Sequence, residues 1–143
     1  MNPIDLPAGP ILADTNVFSI VWRGKPTAKD WTPFYVGRLA TVSFVTVGEV
    51  LKGAIKSGWS QASLDDFERQ LRTYEVIPGT IAVARAYARI KAALEPRGLS
   101  VEDNDVWIAA SALSQPVPLP ILTTDSDMDR IAKVVPELTI VHA

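Results

Sequence analysis

The chain has 143 residues, 48% of them hydrophobic and 21% charged, which suits one domain with a buried core and excludes a disordered or collagen-like protein. It has no cysteine and one histidine, His142, so disulfide frameworks, thiol nucleophiles and multi-histidine or cysteine-bound metal sites are excluded. The formal net charge of −2 is unevenly spread, because residues 1–60 carry six basic and four acidic residues while the remainder carries eight and twelve.

Five short apolar runs predict β-strands. In chain order they are residues 11–13, 41–45, 75–77, 121–123 and 138–141. Residues 23–33, which include Gly24, Pro26 and Pro33, predict an irregular surface connection between the first two strands. The last strand runs almost to the end of the chain, so we expect His142 to be a solvated tail residue.

Helical spacing of apolar residues predicts helices between the later strands. One helix passes through Leu64, Phe67 and Leu71, and another runs from Val83 to Leu94. Residues 106–113 are apolar on most faces and predict a helix buried between layers. Because strands that alternate with helices pair in parallel, we expect a three-layer α/β sandwich.

We expect a single domain over residues 1–143, since neither a repeat nor a linker divides the chain. No run of about 18 apolar residues could cross a bilayer, and the first residues lack the basic and apolar segments of a signal peptide. A cytoplasmic protein with no membrane contact is the expectation.

Four acids follow predicted strands or open predicted helices: Asp14, Glu49, Asp105 and Asp125. In an open parallel sheet these positions meet at the carboxyl edge, where ligands bind. Each acid alone has a simpler explanation. Glu49 could complete a capping box with Thr46, Asp14 and Asp125 could be N-caps, and Asp105 could complement a helix dipole. Capping uses Ser and Asn as readily as acids, so four carboxylates at one edge favour a shared role.

Clustered carboxylates need a compensating proton or cation, because each neighbour disfavours the charged form. Mg²⁺ prefers oxygen ligands, and Mn²⁺ accepts a similar set. Such an ion lowers the pKa of bound water and neutralises charge on a phosphoryl oxygen. The acids therefore predict phosphodiester hydrolysis without Cys or His.

Four ordered motifs resemble those of PIN-domain ribonucleases, most closely the VapC toxins of type II toxin-antitoxin systems. The resemblance covers about Ile11 to Val141. The motifs are Asp14-Thr15-Asn16-Val17, Val42-Ser43-Phe44-Val45-Thr46-Val47-Gly48-Glu49, Asn104-Asp105-Val106-Trp107-Ile108-Ala109-Ala110 and Leu122-Thr123-Thr124-Asp125. Any one of these motifs is weak evidence for the family, but four of them in the same order are specific.

The resemblance implies a central parallel sheet of about five strands and an acidic pocket for one or two Mg²⁺ or Mn²⁺ ions. It also implies endonucleolytic cleavage of structured RNA such as tRNA, a cognate antitoxin that blocks the site, and a homodimer. The matching catalytic positions are Asp14, Glu49, Asp105 and Asp125, and the supporting polar positions are Thr15, Asn16, Thr46 and Thr123.

Two departures from the family pattern concern the last motif. The proline-bearing loop before Ile121 looks longer than usual, and Met128 stands where the family often has an aromatic residue. Asp127 is therefore an alternative or auxiliary to Asp125.

The mechanistic hypothesis assigns a role to each acid. Asp14, Asp105 and Asp125 would position the metal directly or through water, and Glu49 would complete its shell or orient the attacking water. In-line attack would leave a 5′-phosphate and a free 3′-hydroxyl. The basic residues Arg23, Lys25 and Lys29 are candidates to hold flanking RNA phosphates, with an ordinary solvated loop as the alternative.

Two other functions remain open from the residues. A receiver-like signalling domain also holds Mg²⁺ with acids at strand ends, but it usually has an acidic pair after the first strand and a Lys after the last. Here Asp14 stands alone and the last strand ends at His142. A catalytically silent PIN-like binding module is the third possibility, against which the complete set of acids argues.

Overall fold

The computed structural model describes residues 1–143 and contains a five-stranded parallel sheet. The strands are β1 (Ile11–Ala13), β2 (Ala40–Ser43), β3 (Glu75–Ile77), β4 (Ile121–Leu122) and β5 (Ile140–Val141). Their order across the sheet is β3-β2-β1-β4-β5, so the direction of the connections reverses between β1 and β4. This order differs from the 2-1-3-4-5 order of receiver domains, which excludes the receiver-like alternative.

Seven α-helices connect the strands. They are α1 (Thr15–Trp22), α2 (Ala28–Trp31), α3 (Phe44–Ser57), α4 (Gln61–Leu71), α5 (Ile81–Leu94), α6 (Asp103–Leu113) and α7 (Met128–Val134). Short 3₁₀ turns occupy Pro3–Asp5, Thr32–Phe34 and Glu95–Arg97. No helix is long and apolar enough to cross a membrane.

Helices cover both faces of the sheet, because alternate residues of a strand point to opposite faces. Leu12 packs into a core formed mainly with α5, α6 and α7. Its neighbours Ile11 and Ala13 pack into a second core with residues of α1 to α4, including Phe18 and Phe67. These two cores confirm the predicted three-layer α/β sandwich.

Helix capping decides where β2 ends. The sequence predicts a strand through Val45, since residues 41–45 favour β structure. In the structure the side chain of Ser43 accepts a hydrogen bond from the backbone N–H of Val45, and α3 begins at Phe44. A capping box of Thr46 and Glu49, the simpler explanation for Glu49, is therefore excluded, and Glu49 lies in the second turn of α3.

The connection between β1 and β2 is more ordered than the sequence predicts. It contains α2, whose Trp31 is only 5% exposed and packs into the second core. Farther along, Arg38 donates hydrogen bonds to the carbonyl oxygens of Leu6, Pro7 and Gly9, at 2.7, 2.6 and 3.2 Å. One guanidinium thus fixes the segment that leads into β1.

Candidate active site

An acidic pocket opens at the carboxyl ends of the central strands, beside the point where the strand connections reverse. Its volume is about 160 Å³. It is lined by Asp14, Thr15, Asn16, Glu49, Glu102, Asn104, Asp105, Ile108 and Asp125. The four acids predicted from the sequence therefore line one cavity, together with a fifth acid and no basic residue.

Asp14 follows β1 directly and is almost completely buried, with 4% of its surface exposed. Its Oδ1 accepts a hydrogen bond of 2.8 Å from the backbone N–H of Val17, so it is the N-cap of α1. Its Oδ2 accepts a hydrogen bond from the hydroxyl of Thr123. Burial raises the pKa of Asp14, while these two hydrogen bonds oppose the shift. The capping role and the place in the pocket thus coexist.

Glu49 is held at both oxygens. Thr15 Oγ1 donates to Glu49 Oε1 at 2.8 Å, and Asn104 Nδ2 donates to Oε2 at 3.0 Å. Because the single hydroxyl proton of Thr15 is used, Thr46 donates the 3.0 Å hydrogen bond that joins the two threonine hydroxyls. Residues from α1, α3 and α6 therefore fix this carboxylate, and Thr46 supports it from below the pocket.

Asp105 and Asp125 form an interacting pair of carboxyl groups. Asp105 lies in the first turn of α6, and Asp125 follows β4. Burial, followed by the hydrogen bond to Asp125 and the charge of Asp125, raises the pKa of Asp105 to about 7. Asp14 and Glu102 raise it further. Near neutral pH the pair therefore holds a proton that a cation could replace.

Thr123 links the acids on the two sides of the strand reversal. Its hydroxyl donates to Asp14 Oδ2 and accepts a 2.9 Å hydrogen bond from the backbone N–H of Asp125. Asn16 makes a second link, with Nδ2 donating to Thr124 Oγ1 at 3.3 Å. Thr15, Asn16 and Thr123 therefore contact the acidic cluster or its neighbouring loop directly, and Thr46 does so through Thr15.

Asp127 does not line the pocket. It precedes α7, its carboxylate lies 3.2 Å from the guanidinium of Arg130, and its backbone N–H donates to Asp125 Oδ1 at 2.8 Å. Its contribution to the cluster is the orientation of Asp125.

The basic candidates Arg23, Lys25 and Lys29 are exposed and outside the pocket. Arg23 follows the last residue of α1, whose eight residues span about 12 Å from the pocket. Its guanidinium lies 4.7 and 5.3 Å from the ring centres of Trp22 and Trp59. Arg23 is therefore a cation–π partner on the surface.

Glu102 and Asn104 also line the pocket, although the sequence predicts no role for either. The sequence feature that could have indicated them is the run of polar residues from Glu102 to Asp105, in which only Asp105 is predicted to belong to the site. His142 is also less free than expected, because its Nδ1 lies 3.1 Å from the carbonyl oxygen of Thr123 and its Nε2 lies 3.1 Å from Asp129 Oδ1.

The donors of the pocket suit a hard divalent cation, since its five carboxylates and the side chains of Thr15, Asn16 and Asn104 all offer oxygen. No three acidic or histidine side chains are arranged to ligate one ion together. Mg²⁺ commonly uses one or two carboxylates and keeps several waters. The residues therefore fit Mg²⁺ or Mn²⁺ bound by the Asp105 and Asp125 pair and by water.

Comparisons with known proteins identify the family. The PIN domain profile matches residues 11–134. Ribonuclease VapC5 of Mycobacterium tuberculosis is 33% identical over 127 residues, which cover 85% of this chain and 86% of that protein.

Two solved structures have the same fold. One is VapBC2 from Rickettsia felis bound to a DNA fragment from their promoter, with a TM-score of 0.76, 20% identity and coverage of 92% of this chain and 98% of that chain. The other is VapBC-5 of M. tuberculosis, a member of the VapBC family of toxin-antitoxin systems, with a TM-score of 0.66, 24% identity and coverage of 96% and 100%. The chain belongs to the PIN-domain family and, within it, to the VapC group.

Proposed function

We propose that this protein is a Mg²⁺- or Mn²⁺-dependent endoribonuclease and the toxin of a toxin-antitoxin pair. The observation that carries the proposal is the convergence of Asp14, Glu49, Asp105 and Asp125 on one pocket at the strand reversal. The names of the VapC relatives support the choice of RNA as the substrate.

The bound ion would supply an activated water and neutralise charge on the phosphate. Asp105 and Asp125 are the proposed direct ligands, because their shared proton would leave when a cation binds. The oxygens of Asp14 accept hydrogen bonds from Val17 and Thr123, and each keeps a second acceptor site, so Asp14 would contribute to the ion site directly or through water.

Glu49 orients the attacking water in this proposal. The hydrogen bonds from Thr15 and Asn104 occupy one side of each carboxylate oxygen and hold the side chain in one position. A carboxylate oxygen can accept a further hydrogen bond, so Glu49 can still accept one from water. Attack in line with the leaving 3′-oxygen then yields a 5′-phosphate and a 3′-hydroxyl.

RNA must be held from outside the pocket, because its lining has no positive charge. Arg23, Lys25 and Lys29 are proposed to contact phosphates that flank the cleaved bond, and a structured RNA such as tRNA is the proposed substrate. Neutralising Lys25 and Lys29 together would reduce the salt slope of RNA binding by about two.

Two protein partners complete the proposal. A cognate antitoxin would insert an arginine into the pocket, where a guanidinium can pair bidentately with a carboxylate. A second copy of the chain would cover apolar side chains such as Leu51 and Ile55, which are 39% and 83% exposed on α3.

The proposal is tested by incubating the purified protein with structured RNA and mapping the new RNA ends. We expect Mg²⁺- or Mn²⁺-dependent fragments with 5′-phosphates, loss of cleavage with a chelator, and no cleavage by Asp105→Asn. Cleavage by Asp105→Asn at the wild-type rate, in preparations free of other nucleases, would exclude this site.

A further inference from the structure

A second cavity adjoins the acidic pocket on the β5 side. Its volume is about 290 Å³, and its walls include Ile20, Thr27, Asp30, Trp31, Thr124 and His142. Thr123, whose hydroxyl binds Asp14, also lines it. The hydrogen bond between Asn16 of the acidic pocket and Thr124 forms part of the partition between the two cavities.

The acidic pocket itself cannot hold a nucleobase. Its volume of about 160 Å³ is lined by one hydrophobic residue, Ile108, and by five carboxylates that suit a cation, water and a phosphate group. A base beside the cleaved bond must therefore lie outside it. Of the other main cavities, only the second one is lined by residues that bond to residues of the acidic pocket.

The walls of the second cavity combine apolar and hydrogen-bonding groups. Ile20 and the small exposed part of Trp31 are apolar, while Asp30, Thr27 and Thr124 offer a carboxylate and two hydroxyls. The two nitrogens of His142 face acceptors, the carbonyl oxygen of Thr123 and the carboxylate of Asp129, so the ring acts there as a donor. These contacts hold the ring in place and leave its face for stacking. Aromatic faces with nearby polar groups are how proteins bind unstacked RNA bases.

We propose that this second cavity binds the nucleobase next to the cleaved phosphodiester and that Asp30 selects bases that carry an amino group. A carboxylate only accepts hydrogen bonds, so Asp30 facing the exocyclic group suits the amino groups of adenine, cytosine or guanine. It disfavours the carbonyl oxygen that uracil has there, since the one base donor of uracil is its ring N3–H. This proposal rests on the proposed ribonuclease function and adds a specificity determinant to it.

The base preference of cleavage tests the selection by Asp30. Two series of short RNAs are compared by kcat/KM. One series varies only the nucleotide before the cleaved bond, and the other varies only the nucleotide after it. We expect the wild type to disfavour uracil about tenfold at one of these positions. Asp30→Asn should reduce that preference to about twofold, because an amide both donates and accepts. Asp65→Asn, at an exposed position on α4, is the matched control and should keep the preference.

A pair of His142 variants tests stacking. Both His142→Phe and His142→Ala lose the hydrogen bonds of the imidazole, but only Phe keeps an aromatic face. We expect KM to rise about tenfold more in the Ala variant than in the Phe variant, with kcat similar in the two. Equal KM values for the two variants would contradict the stacking role.

Nucleotide binding separates this proposal from the proposed function. CMP, but not UMP, should shift the backbone amide signals of Thr124 and His142 in NMR spectra, and Asp30→Asn should remove the difference. If the protein cleaves no RNA and these shifts still appear, the ribonuclease function fails and the base site stands. If RNA is cleaved while no nucleotide moves these signals, the base site is wrong. Cleavage of RNA without nucleotide-induced shifts is also the result expected if this cavity binds a basic side chain of a protein partner instead of a base.

Discussion

The two ends of the central sheet carry opposite kinds of surface. At the carboxyl ends lies a small pocket of about 160 Å³ with five acidic residues. At the amino ends lies a larger groove of about 470 Å³, lined mainly by residues 6–10 and 115–120, which include five prolines. The larger cavity is therefore not the one that contains the acidic residues.

The difference follows from what each end is built from. At the carboxyl ends, β1 leads into α1 through Asp14, and the first turn of α6 brings Asp105 to the same pocket. At the amino ends, the chain arrives through stiff loops that have few side chains able to bind or react. The chemistry of the fold is therefore expected at the carboxyl ends, and stability at the other.

Removing an acid from each end should give the largest contrast. Asp14→Asn keeps a good N-cap for α1 but removes a charge from the pocket, so we expect RNA cleavage to fall at least about a hundredfold. Glu137→Gln, in the proline-lined groove, should cleave at the wild-type rate. Initial rates with one RNA substrate measure both. Equal losses in the two variants would remove the distinction between the ends.

For stability, we expect the larger effect from a substitution near the amino ends of the strands. Arg38→Ala removes three hydrogen bonds to carbonyl oxygens near the amino ends, and we expect unfolding free energy to fall by about 2 kcal/mol and Tm by roughly 6 °C. Thermal unfolding followed by circular dichroism measures the change. Cleavage at 25 °C should be unaltered, and a matched loss of activity would show that the ends are coupled.

Cation affinity should depend on pH at the carboxyl ends. The pKa of Asp105 is raised to about 7, so below that pH a cation must displace a proton. We expect Mn²⁺ affinity to rise about fivefold from pH 6 to pH 7 and about tenfold from pH 6 to pH 8, and to level off above pH 8. Titration calorimetry in buffers of different ionisation enthalpy measures both affinity and proton release. A flat profile would exclude the shared proton.

The smallest expected effect concerns the metal-free protein. Because the pKa of Asp105 is raised on folding from an unfolded value of about 3.9, its contribution to stability is fully present below pH 4 and is lost as pH rises through 7. Asp105→Asn should therefore raise stability at pH 8 by about 1 kcal/mol, or Tm by about 3 °C, and have less effect at pH 5. Urea unfolding at the two pH values tests this difference.

The sequence was most informative where apolar runs form buried strands and helix faces. β1 and β3 have the predicted bounds, and the alternation of strands and helices led to the correct layers. The sequence was less informative where one hydrogen bond from a side chain decides whether a strand continues or a helix begins. The hydroxyl of Ser43 ends β2 two residues early, against the β preference of the residues that follow.

The acids were found because the sequence predicts them directly after strands or at the start of a helix. Their partners were harder to assign, because hydrogen bonds such as Asn104 to Glu49 join residues 55 positions apart. Burial of charge was also hidden in the sequence. The position of Asp127 outside the pocket and the interaction of Asp105 with Asp125 depend on how α6 and the loop after β4 meet.

The double role of Asp14 has a consequence for measurement. The carboxylate that caps α1 also lines the acidic pocket. A ligand that binds Asp14 Oδ1 therefore competes with the amide of Val17 for this oxygen. Opening of the first turn of α1 is thereby linked to occupancy of the pocket. Hydrogen exchange at the Val17 amide would report loading of the site directly, without RNA and without turnover.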